Sequence, residues 1–89
     1  MSQELLADAS ERLRVAAEGA DGDARERLYD QSNALAKLAT REHGADHGRL
    51  ARHMHALAEL AEATDGETRD AVRDARSKLA TFREGVDGV

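Results

Sequence analysis

The chain has 89 residues, 18 acidic side chains against 13 basic ones, no cysteine and no proline. That size allows one small domain with a marginal core, and the net charge of −5 argues against broad electrostatic binding to nucleic acid or an anionic membrane. The absence of cysteine removes disulfides, thiolate metal sites and thiol nucleophiles.

The apolar residues recur at the helical period in four segments, over about residues 2–18, 24–42, 47–63 and 66–84. The first places Leu6, Ala9, Leu13, Ala16, Ala17 and Ala20 on one stripe. "EGADGDARE" then breaks it, and Asp23 with Glu26 has the spacing of a capping box that opens the second helix. That helix shows Leu28, Ser32, Leu35, Leu38 and Ala39 on one face. The third, after "HGADHG", carries Leu50, Met54, Leu57 and Ala61. Thr64 and Glu67 form a second capping box ahead of the fourth, which shows Thr68, Val72, Ala75, Leu79, Phe82 and Val86. Helix formers dominate throughout, and half of the apolar residues are alanine, so the core is thin or the helices approach closely.

Short connections force neighbouring helices antiparallel, so the expected fold is all-α, an up-down-up-down four-helix bundle with the capacity to dimerise. The competing architecture is a pair of helical hairpins that open and pair with a second chain. No internal repeat is strong enough to argue from. The longest apolar run is three residues, so neither a membrane span nor a secretory segment is expected, and the default location is the cytoplasm.

All four histidines lie between Arg41 and His55. His43, Asp46 and His47 are weak metal candidates around the turn, because two histidines and one capping aspartate fall short of a four-ligand zinc shell. Helical geometry sends His53 and His55 to sides about 160° apart, so they do not share an ion. His55, Glu59 and Glu62 share an outer face, most simply as a solvated ion-pairing stripe. Arg49, Arg52 and His53 offer a weak version of the basic face a nucleic-acid reader needs, against the acidity of the chain. No nucleophile elbow, phosphate loop or dinucleotide fingerprint occurs, so the expectation is no enzyme activity and no cofactor.

Tyr29, Val15 and Ala36 lie off their helices' apolar stripes, and tyrosine is a common interface anchor. They are the candidate interface for a homodimer, with an unknown protein partner as the alternative occupant.

Eleven of the thirteen basic residues are arginine, isoleucine is absent, and Asp, Glu and Ala are abundant. Together with "MSQELLADASERLRVAAEGA" and the central "REHGADHGRLARHMHALAEL", this resembles a family of small acidic haloarchaeal proteins of unknown function. The resemblance implies an all-helical cytoplasmic protein and assigns no activity, ligand or catalytic residue. The expectation is therefore a small helical interaction or structural module that self-associates, with a regulatory binder of nucleic acid or a divalent metal through residues 41–55 as the alternative.

Overall fold

A computed structural model describes residues 2–40 and 47–85. Four helices follow one another as α1 (Ser2–Glu18), α2 (Gly22–Ala39), α3 (His47–Ala63) and α4 (Gly66–Glu84), and no strand occurs among the described residues. They form an antiparallel bundle of 37 × 20 × 18 Å. The stripes expected from periodicity meet in its centre, where Leu6, Leu13, Leu28, Leu35, Leu50, Leu57, Leu60, Val72 and Leu79 are fully buried. Alanines at 9, 16, 17, 71 and 75 are also buried, so helices come close where side chains are small.

The helix starts differ from the expected capping boxes. Neither Asp23–Glu26 nor Thr64–Glu67 forms one. The N-caps are Asp21 and Asp65, both with extended backbone, and each is followed by a glycine at positive φ, Gly22 at 59° and Gly66 at 56°. Glycine takes that conformation without the clash a Cβ would cause, so the chain turns into α2 two residues before the position that side-chain spacing suggests. The Thr64 hydroxyl points backward and donates to the Leu60 carbonyl at 2.8 Å, closing the end of α3. The Arg69 guanidinium completes that end, its Nε 2.8 Å from the carbonyls of both Ala61 and Thr64.

These two Asp-Gly turns lie side by side and line one depression together with Gly19, Ala20, Ala24, Ala63, Thr64 and Thr68. Their likeness exposes a repeat that the bare sequence conceals. Shifting by the interval from Asp21 to Asp65 aligns Leu6 with Leu50, Leu13 with Leu57, Ala17 with Ala61, Gly22 with Gly66, Arg25 with Arg69, Asp30 with Asp74 and Leu35 with Leu79. Leu28 meets Val72 and Leu38 meets Phe82. Every aligned leucine, valine and phenylalanine here is buried in both halves. The hairpin α1–α2 is thus the counterpart of the hairpin α3–α4.

Even unlike residues keep equivalent contacts. In the first hairpin the Ser32 hydroxyl donates to the Ser10 carbonyl at 2.8 Å and Ser10 returns a bond to the Ser32 carbonyl at 2.7 Å. At the matching positions of the second hairpin, Arg76 Nε donates to the Met54 carbonyl at 3.1 Å.

Exchange of the two halves turns the α1–α4 seam into the α2–α3 seam. Those two seams are not alike. α1 packs closely on both α2 and α4, whereas α2 and α3 make the slightest approach of any neighbouring pair. The departure from symmetry is greatest at that seam, although α3 also packs less closely on α4 than α1 does on α2.

Candidate functional site

In the closed seam Ala9 of α1 and Ala75 of α4 are both fully buried, at 0% exposure. Their counterparts across the open seam are His53 of α3 and Gln31 of α2. These two are only half-buried, and His53 Nδ1 lies 2.8 Å from Gln31 Oε1. The amide oxygen only accepts, so Nδ1–H is the donor and Nε2 is the atom left to take a second proton. A bulky polar pair thus stands where the other seam has two methyl groups, and the spacing of packed helices grows with the size of the side chains at their contact.

Beside that pair lies a cleft of about 310 Å³ lined by Ala34, Lys37 and Leu38 of α2 and by Arg49, Arg52 and His53 of α3. Helical spacing makes the cluster. Residues three and four apart share a face, which brings Ala34 and Lys37–Leu38 together on α2 and Arg49 and Arg52–His53 together on α3. No acidic residue occurs in 31–40 or 48–58, so three permanent cations face each other with no carboxylate of either span between them. Lys37 and Arg52 form no ion pair among the described residues.

Lys37 stands in the last turn of α2, where a cation suits the helix dipole. Arg49 stands in the opening turn of α3, which has no acidic residue, and there the dipole disfavours a cation. Burial, and then the positive charges of Arg49 and Arg52, hold the His53 imidazole below the usual histidine range.

The cleft unites the three residues expected as a weak nucleic-acid face, Arg49, Arg52 and His53, and adds Lys37, while Gln31 bonds His53 beside it; periodicity alone singles out neither Lys37 nor Gln31. A usable signal is present in the sequence, since the acid-free spans 31–40 and 48–58 fall on adjacent helices. His55 is exposed on another side, 3.5 Å from Glu59, and Glu59 also pairs with Arg27 of α2 at 3.2 Å. Of the metal candidates, His43 and Asp46 lie outside the described residues, as does the side chain of His47. Among the described residues no three His, Asp or Glu side chains cluster so as to hold an ion.

The candidate interface residues are spread over two places. Val15, 43% exposed, lines a groove between α1 and α4 with Arg12, Ala16, Gly19, Glu67, Thr68, Asp70 and Ala71. Tyr29 is half-buried against the core, with the Arg25 guanidinium 5.9 Å from its ring centre, and Ala36 is exposed two turns further along α2. No described helix is long and apolar enough to cross a membrane. Compared with known proteins, residues 1–85 match a family described as of unknown function, DUF7553. No curated protein and no solved structure matches the chain.

Proposed function

The chain belongs to the DUF7553 family of unknown function, and from that premise we propose that it is a helical interaction module, not an enzyme, which receives an anionic partner in the cleft between α2 and α3. The observation that carries this reading is the gathering of Lys37, Arg49 and Arg52 around one opening in a chain of net charge −5. Separated cations on an acidic surface are ordinary, but cations converging on a recess focus the field there and steer an anion to it. The loose packing of the same seam leaves polar side chains reachable by a ligand. The cytoplasm is the compartment this reading assumes.

Retention of a labelled heparin oligosaccharide, followed by fluorescence anisotropy at low and moderate salt, tests it. Arg49→Glu with Arg52→Glu is expected to weaken binding by about tenfold or more. The same charge change placed elsewhere, Arg25→Glu with Arg73→Glu, is expected to leave most of the affinity in place. Equal losses from the two pairs would reduce the cleft to a share of overall charge and remove the proposal.

Val15 favours a second reading, a homodimer, because it is the one large apolar side chain exposed among the described residues and it sits on the rim of a groove. Light scattering at molar salt, where charge repulsion between acidic chains is screened, is expected to give a dimer that Val15→Asp weakens. A monomer at every concentration discards that reading and leaves the cleft untouched.

A further inference from the structure

The charge and the lining of the cleft bear on the class of anion it suits. Three permanent positive charges surround about 310 Å³, and the fourth polar group, His53, is able to add another. A carboxylate brings one charge and two oxygens, which a single guanidinium fork satisfies. A phosphodiester also brings one charge per group, and its chain has to continue along the surface. Along the two helices past one end of the acid-free spans come Asp30, Glu59 and Glu62, so a duplex much longer than the cleft meets carboxylates there. A phosphate monoester brings up to two charges and three oxygens on a single terminal group, while Ala34 and Leu38 in the lining supply apolar surface for the carbon side of the ester.

Resting on the docking function above, we propose that the α2–α3 cleft is a binding site for a phosphate monoester, gripped by Lys37, Arg49 and Arg52 and completed by the protonated imidazole of His53. Occupation brings a proton with it. Among the described residues the groups beside His53 are Arg49 and Arg52 from its own helix and, from α2, Lys37 and the neutral Gln31. Burial, and then the positive charges of Arg49 and Arg52, hold the ring below its ordinary range. The nearest carboxylate along α3, Glu59, is held by Arg27 and His55. A bound dianion reverses the sign of the local field, and His53 takes one proton from solvent at Nε2 while Nδ1–H remains on Gln31. Binding therefore strengthens as pH falls towards about 6, where the ester's own second protonation begins to oppose it.

The probes are phenyl phosphate, a phosphoserine peptide, acetate and a short DNA duplex, and the readout is the NMR titration of the His53 and His55 ring protons. With either phosphate monoester the midpoint of His53 is expected to rise by about one pH unit, while exposed His55 and the acetate control move little. The rise is lost in Arg49→Gln/Arg52→Gln. His53→Gln still binds phenyl phosphate at pH 7.5, but its affinity no longer grows at pH 6.5. Tighter binding of the peptide identifies a modified protein as the source of the group, and equal binding identifies a small molecule. No rise at His53, an equal rise at His55, or displacement of the monoesters by lower concentrations of duplex overturns the inference. If heparin retention still depends on Arg49 and Arg52 in that event, the docking function stands and only the ligand class has failed.

Discussion

Leu13→Ala and Leu57→Ala are each expected to lower stability by about 3 kcal/mol, read as the free energy from urea unfolding, and to lower Tm by about 12–24 °C. Both side chains have 0% exposure, and they occupy matching positions in the two hairpins. Truncation removes buried methyl groups and leaves a cavity that the surrounding helices fill only in part. A chain of 89 residues has a total stability of about 5–13 kcal/mol, so one such change takes a large share of it. The core has little to spare, since many of its positions carry only a methyl group. Similar losses at the two sites are what the repeat requires. A loss below about 1 kcal/mol at Leu57 beside a large one at Leu13 would mean that the halves are equivalent in backbone only.

The helices and their inward faces were legible because one property, the 3.6-residue recurrence of apolar residues, encodes both. Leu6, Leu13, Leu35, Leu50, Leu57, Val72 and Leu79 all take the places that recurrence assigns. Ser32 was legible in position but not in role, because its partner Ser10 is twenty-two residues away and no local pattern links them. The turns misled for a different reason. Side-chain spacing points to Asp23 and Thr64, but the backbone freedom of Gly22 and Gly66 decides where the helices begin. The repeat hid behind exchanges such as Ser10 for Met54 and Ser32 for Arg76, which keep a contact and discard the residue type. The cleft was half legible. Periodicity places His53 near the core edge of α3 and separates it from His55, yet how closely two helices approach depends on which pair meets across the seam. His53 with Gln31 and Ala9 with Ala75 occupy matching places in the repeat of the two hairpins, and only the assembled bundle brings the pairs into comparison.

That comparison makes the second large prediction. His53→Ala with Gln31→Ala rebuilds across α2–α3 the pair that closes α1–α4. Alanine is the better helix former at both positions, and small facing residues let the helices approach and bury more of Leu38 and the neighbouring core. Stability is expected to rise by about 1 kcal/mol, although two polar side chains that hydrogen-bond each other have been removed. Retention of the heparin oligosaccharide is expected to fall by about tenfold, although Lys37, Arg49 and Arg52 are all present. Shape and charge are thereby separated: the cations alone do not make the site if the seam shuts between them. A loss of stability in the double variant would show that α2 and α3 cannot close and that the polar pair fills a gap instead of making one. Unchanged heparin binding in a more stable protein would place the docking surface on the outer rim of Arg52 and Lys37, outside the cleft. The expected pairing, greater stability with weaker binding, is what a seam held open for a ligand produces, because the packing given up at His53 and Gln31 is recovered only when the site is lost.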